Sequence, residues 1–183
     1  MLSTQEATIV GPATHLADLL RRASEEYRAI YDQNRHRIYA LAFWMTDNEL
    51  AAEELMTSTF CRAFAWNNAP TDDQIDQMLI GELRKEMPLG PLTLNCEPSP
   101  GVRGVRNRGV RNNVLRVDLE RAVVQLPSTE RLIFLMHDVE GYDHARIAHT
   151  LGLSDDESCL GLYRARVFLR ELLAKPSGFA YNS

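Results

Sequence analysis

The chain has 183 residues, 45% of them hydrophobic and 25% charged, with a formal net charge of −5. That composition suits one soluble domain or two small ones, and no apolar run approaches the roughly 20 residues of a membrane-spanning helix. Cys61, Cys96 and Cys159 are widely spaced with no C-x-x-C, which fits a reducing cytoplasm and argues against a disulfide frame.

The opening MLSTQEATIVGPATHLADLL lacks a basic leader and a sustained apolar core, so no signal peptide is predicted. Residues 1–15 read as a loose or short-helical lead-in. An apolar stripe begins at Leu16, Leu19 and Leu20. A long helix is predicted from about Ser24 to Met45, with Tyr27, Ile30, Tyr31, Ile38, Leu41 and Met45 inward. Thr46-Asp47-Asn48-Glu49 has the T-x-x-E spacing of a capping box. It opens a helix in which Ala52, Leu55, Met56, Thr59, Phe60, Ala63 and Phe64 recur by threes and fours as a broad apolar face. Phe60, Phe64 and Trp66 read as core. After a loop with Pro70, Thr71-Asp72-Asp73-Gln74 caps a third helix, DDQIDQMLIGELRKEM, with Ile75, Met78, Leu79 and Leu83 inward.

These helices carry a resemblance. AIYDQNRHRIYALAFWMTDN followed by LAAEELMTSTFCRAF is similar to region 2 of bacterial sigma-70-family factors. In that family the second segment docks on the clamp helices of the β′ subunit of core RNA polymerase. The resemblance implies polymerase binding through Glu53 and Glu54, with Thr57 and Ser58 beside them. The two acids also suit a first helical turn, where the helix dipole favours negative charge. Thr57 and Ser58 stand where the family more often has Gln and Glu. The family's third helix is basic and aromatic and reads the promoter −10 element, a task needing stacking platforms and positive charge. Here that helix has no aromatic residue, Gly81 lies in its middle, and its only basic residues are Arg84 and Lys85. No −10-reading residue carries over.

Residues 88–113 hold four prolines and four glycines, which prevent a packed element. Inside them Gly-Val-Arg recurs at 101–103, 104–106 and 109–111. Charge isolates this stretch: it carries four basic residues and one acidic, against 8 and 14 in residues 1–87 and 8 and 10 in residues 114–183. It reads either as a flexible tether or as a basic strand along nucleic acid. In the second case Arg103, Arg106, Arg108 and Arg111 supply salt-sensitive, sequence-independent attraction. Linkers of sigma factors thread through polymerase, so the resemblance favours that second reading.

Leu115, Leu119, Ala122, Val123 and Leu126 then give a helical stripe from about Asn113. A helix after Pro127 places Leu132, Leu135, Met136 and Val139 on one side and stops at Glu140-Gly141. Another spans Asp143 to Leu151, with Ile147, Ala148 and Leu151 together. Gly152 allows a tight turn. Ser154 and Glu157 form a capping box for the last helix, which turns Leu162, Ala165, Leu169 and Leu172 inward. Helix, short Gly turn, helix is the helix-turn-helix pattern, whose last helix can lie in a DNA major groove. The same rhythm also suits a plain helical bundle.

The string LPSTERLIFLMHDVEGYDHARIAHTLGLS, followed by YRAR and LRELL, resembles region 4 of the sigma-70 family, of the compact extracytoplasmic-function (ECF) group. The resemblance covers roughly Leu115 to Leu173. It implies DNA binding by the last helix through Ser158, Tyr163, Arg164 and Arg166, with Arg103, Arg106 and Arg111 of the linker. The opening of that helix departs from the family. Asp155, Asp156 and Glu157 run together, and Ser154–Gly161 contain none of the Arg, Lys, Asn or Gln that read base edges. Cys159 and Gly161 stand where the family commonly has Lys and Arg, and Ser158 replaces a β-branched core residue. The tail KPSGFAYNS has little to hold it.

Other chemistry is thin. His15, His36, His137, His144 and His149 make no ligand spacing such as H-E-x-x-H. No nucleophile, base and orienter come together, so neither catalysis nor a metal or cofactor is expected. The expected architecture is all-α, two small helical domains joined by a linker: residues 1–87 (region 2-like), 88–113 (linker), 114–175 (region 4-like) and 176–183 (tail). The resemblance implies a cytoplasmic protein that binds core RNA polymerase and directs promoter-specific transcription initiation. Its expected partners are core polymerase, promoter DNA and an anti-sigma factor, with no membrane and no small-molecule substrate. One alternative is a degenerate paralogue that binds protein without reading promoter DNA. Another is a helix-turn-helix regulator independent of polymerase. The linker and the opposed charges permit the two halves to pack together.

Overall fold

A computed structural model describes residues 12–66, 68–89 and 116–174, and every regular element among them is helical. Helix α1 (Pro12–Thr46) is a single 35-residue rod. It starts well before the expected Ser24, and proline suits a first helical position because its missing N–H would be unpaired there anyway. Ile38, Leu41 and Met45 are buried, and Tyr27, Ile30 and Tyr31 are half-buried.

The junction to α2 (Glu49–Trp66) corrects the expected Thr46 cap. Thr46 is the last residue of α1, and its hydroxyl donates to the Ala42 carbonyl at 2.9 Å. Asn48 caps α2 instead, its Oδ1 accepting from the Ala51 amide at 3.1 Å. Between them Asp47 takes φ +53°, a left-handed conformation that aspartate tolerates better than most residues. Helix α2 packs on α1 through Ala52, Leu55, Phe60 and Ala63. Tyr31 and Phe60 meet edge to face at 4.8 Å, and Tyr27 lies 5.0 Å from Phe64. Such pairs add about 0.5–1.5 kcal/mol beyond area burial. Trp66 is not core as expected: it ends α2 and is 75% exposed.

Helix α3 (Asp72–Glu86) begins with the expected box, Thr71 accepting from the Gln74 amide while Gln74 accepts from the Thr71 amide. Ile75, Leu79 and Leu83 are buried and Met78 half-buried. Asp76, Ile80 and Glu82 are buried as well, so α3 is covered over more of its circumference than its apolar stripe requires.

The C-terminal half holds α4 (Arg116–Val124), α5 (Ser128–Phe134), α6 (His144–Leu151) and α7 (Asp155–Ala174). Leu119, expected inward, is 40% exposed, whereas Ala122, Val123 and Leu126 are buried. Helix α5 continues into a π-helical turn, Leu135–Val139. The Glu140 amide reaches back five residues to the Leu135 carbonyl at 3.0 Å. A π turn is wider than 3.6 residues, so it rotates Val139 off the apolar side: Val139 is 56% exposed while Leu135 and Met136 are buried. Buried apolar residues from both halves form one connected cluster, each large member contributing about 1.5–3 kcal/mol. Apart from Pro88 and Leu89, the predicted linker, with Arg103, Arg106, Arg108 and Arg111, lies outside the described residues, as does the tail.

Candidate nucleic-acid interface

The last two helices meet as the sequence predicts. The Asp143 carboxylate caps α6, accepting from the Arg146 amide at 2.8 Å. Gly152 takes φ +69°, ψ +38° and its amide donates to the Ala148 carbonyl, as does that of Leu153 at 2.9 Å. Ser154 and Glu157 cap α7 reciprocally: the Glu157 amide donates to Ser154 Oγ at 3.2 Å, and the Ser154 amide to Glu157 Oε2 at 2.8 Å. The backbone and side-chain hydrogen bonds from Ser154 hold the Glu157 carboxyl below its usual range.

The outward stripe of α7 runs Asp155, Asp156, Cys159, Tyr163, Arg166 and Arg170. It is acidic at its start and basic at its end. Tyr163 is well exposed and Arg164 half-buried. Arg166 forks onto Asp138 of the π turn, with Nη2 at 2.6 Å and Nε at 3.1 Å. Burial opposes the Asp138 charge, but Arg166 and then His137 outweigh it and hold the carboxyl low. Ser158 needs correcting as a DNA contact. It is 0% exposed, and its hydroxyl meets His144 Nδ1 at 2.9 Å. A side chain sealed between α6 and α7 offers nothing to nucleic acid, and it accords with a position where a core residue is usual. The His144 ring in turn lies against His137, centroids 4.7 Å apart.

On α2, Glu53, Glu54 and Thr57 are exposed and Ser58 half-buried. With Leu50, 66% exposed, they make a continuous outward face, so these four residues stand together as the sequence placed them.

Residues 116–169 match the family described as Sigma-70, region 4, and the match runs from the start of α4 through most of α7. Over these helices the chain is similar to region 4 of the sigma-70 family. It is 27% identical over 159 residues to the ECF RNA polymerase sigma factor SigE of Mycolicibacterium smegmatis, an overlap of 79% of this chain and 60% of that protein. Its fold is similar to that of the sigma factor RpoE from Bartonella quintana, solved in complex with the anti-sigma factor NepR. The TM-score is 0.55 at 18% identity, covering 85% of this chain and 96% of that one.

A cluster that sequence reasoning missed joins the two halves of this chain. The Asp76 carboxylate on α3 is 2% exposed. Its Oδ1 accepts from Arg37 of α1. Its Oδ2 accepts from the Tyr142 hydroxyl at 2.8 Å and from Arg146 Nη2 of α6 at 2.9 Å. Arg37 also donates to the Tyr142 hydroxyl and to Asn34 Oδ1. Arg146 pairs with Asp73 at 2.9 Å and lies 3.9 Å from the centre of the Tyr142 ring, close enough for a cation–π contact. Burial weighs against the Arg37 charge, yet Asp76 and Tyr142 outweigh it and raise its pKa. Burial, then Asp76, push the Tyr142 hydroxyl up.

Further polar ties cross between the halves. Arg84 Nη2 donates to the Leu151 carbonyl at 2.7 Å, and Gln77 Nε2 meets His149 Nε2 at 3.2 Å. Arg131 Nη1 donates to the Met45 carbonyl at 3.1 Å. The one hint in the sequence was polar residues inside helical patterns, which carry no directional information about a distant partner. Among the described residues no group of His, Cys, Asp or Glu could hold a metal ion, and no helix is long and apolar enough to cross a membrane.

Proposed function

We propose that this chain binds core RNA polymerase and directs promoter-specific transcription initiation, with α6 and α7 as its DNA-facing helix-turn-helix. The observation that carries this is the region 4 match over residues 116–169, on helices whose turn and caps are formed as a helix-turn-helix needs. The exposed face of α2, with Glu53, Glu54, Thr57 and Ser58, is the proposed polymerase contact. On α7, Tyr163, Arg164 and Arg166 are the proposed DNA contacts, together with Arg103, Arg106 and Arg111 of the linker. The same reading divides the chain at residues 87, 113 and 175, places it in the cytoplasm and gives it no catalytic role. An anti-sigma factor is a proposed partner, by analogy with the RpoE–NepR complex.

The three acids opening α7 mean that phosphate attraction comes from the far end of that helix and from the linker. Acids near phosphates weaken the nonspecific attraction on which DNA affinity rests. The test is binding of the purified chain to core polymerase, followed by transcription from a promoter library with that complex. Binding with a defined set of transcripts is the expected result. Binding without transcripts would mark a degenerate paralogue acting as a modulator. Absence of polymerase binding would overturn the reading.

A further inference from the structure

The start of α7 offers DNA little to be read by. From Ser154 to Gly161 it has no Arg, Lys, Asn or Gln, the side chains that read most base edges. Arg166 follows about three turns into the helix. Long helical side chains lean back toward the N-terminus of their helix, so its guanidinium covers the turn before its own Cα.

Asp138 fixes that guanidinium. Arg166 Nη2 donates to Oδ1 at 2.6 Å and Nε to Oδ2 at 3.1 Å, a two-pronged fork that sets the plane of the group as well as its place. His137 Nδ1 lies 2.9 Å from the same Oδ1, so the carboxylate is held from a second side. Asp138 belongs to the π turn Leu135–Val139. The wider turn that exposes Val139 also sets where Asp138 stands, and single π turns occur often at functional sites.

A guanidinium carries five N–H donors in one plane. Asp138 takes one from Nε and one from Nη2. Both donors of Nη1 and the second of Nη2 remain, and the Nη1–Nη2 edge is the other two-donor edge of the group. The Arg166 side chain is 47% exposed against 24% for Asp138, so the arginine is the more open member of the pair. Charge decides what its remaining edge suits. A cation already paired with a carboxylate brings little net charge, so it attracts phosphate weakly. Reading a base edge asks instead for two donors at fixed spacing on a locked side chain. The O6 and N7 acceptors of guanine fit such an edge.

We propose that Asp138 is a positioning residue: it presents the Nη1–Nη2 edge of Arg166 to O6 and N7 of a guanine in the major groove, and makes Arg166 the specificity-determining residue of α7. This rests on the DNA-facing role proposed above for α6 and α7. The reading element then lies in the middle of α7, braced by the π turn, and not in the acidic first turn.

The test is selection from a pool of random duplexes by the full chain, alone and bound to core RNA polymerase. Salt titrations follow on the selected duplex and on one of arbitrary sequence. The wild type should enrich guanine at one fixed position, and replacing that base should weaken binding roughly 5- to 150-fold, the range for one good bidentate pair. Arg166→Lys keeps the charge but not the fork and should lose the preference. Asp138→Ala should lose it too, yet bind the arbitrary duplex no more weakly, because an acid has left the DNA face. Asp138→Glu, which keeps a carboxylate, should regain part of it. If Asp138→Ala loses helix content by circular dichroism, Asp138→Asn, the same shape without the charge, carries the comparison. Asp138 variants that keep the guanine preference, or that weaken both duplexes equally, would overturn the positioning role. Arg166→Ala that keeps the preference and only lowers the slope of log affinity against log salt by about one would make Arg166 a phosphate contact and overturn its reading role. A wild type that selects no sequence, with or without polymerase, would remove the DNA-facing role and this proposal with it.

Discussion

Ser158 shows how one residue divides packing from recognition. It begins the second turn of the DNA-facing helix, yet it is fully buried against His144. Replacing it with alanine should cost about 0.5–1.5 kcal/mol, the net worth of a neutral hydrogen bond, read as a shift in the urea midpoint. The duplex affinity of the folded protein should not change. Arg166 belongs to the opposite class. It is exposed but committed to Asp138, whose carboxyl is held low by that pair against the opposing effect of burial. A lowered carboxyl stabilises the fold above its ordinary titration range, near pH 3.9, and loses that contribution as pH falls through its lowered value. Asp138→Asn should therefore flatten the acid limb of the stability–pH curve, and by no more than about 1 kcal/mol because the pair is partly solvated. The partner of neither could be read from the sequence alone. Periodicity says that a position points inward but not which partner waits there, and an exposed arginine looks the same whether or not an acid from another segment has found it.

At the scale of elements, local signals were legible and long-range ones were not. The boxes at Thr71–Gln74 and Ser154–Glu157 and the Gly152 turn all depend on residues within three or four positions, and the structure has them as expected. The Thr46 box fails for an equally local reason. Thr46 is still inside α1, where its hydroxyl bonds its own helix, and Asn48 is the better-placed acceptor. Val139 fails because a pattern drawn at 3.6 residues per turn does not foresee the π turn at Leu135–Val139. The Gly152 turn offers a sharp test. Nothing lies within 4 Å of where a Cβ would stand, so Gly152→Ala meets only backbone strain at positive φ, roughly 1–2 kcal/mol. Thermal unfolding should show that loss without any sign of a steric clash, and a bulkier substitution should cost little more.

For the molecule as a whole, the sequence revealed two helical halves but not the contact that joins them. Arg37 and Asp76 are 39 residues apart, and Arg37 and Tyr142 are 105 apart. No window along the chain holds them together, and Asp76 sits beside the apolar stripe of α3 as an ordinary surface acid would. Tyr142 gives this contact a dependence on pH with a definite sign. Burial and then the Asp76 carboxylate raise its hydroxyl above the usual value, against the pull of Arg37 and Arg146. A raised group contributes fully below its ordinary value of about 10 and loses that contribution as pH climbs toward the value in the folded state. Scattering as pH is raised above about 10 should show the wild type beginning to expand. Tyr142→Phe, which has no proton to lose, should show a smaller change over the same rise.

Arg131 ties together parts of the chain that are made at different times. It supplies a donor to the Met45 carbonyl at the end of α1, and to Val124 and Leu126 after α4. The last turn of α1 has no basic residue of its own. During synthesis, α1 and α2 therefore emerge with that carbonyl unserved by protein until position 131 follows, 86 residues later. At about 5–20 residues per second, the interval is on the order of 5–20 seconds. In that window the end of α1 frays more readily, and its amides should exchange faster in a chain arrested before residue 131 than in the full chain.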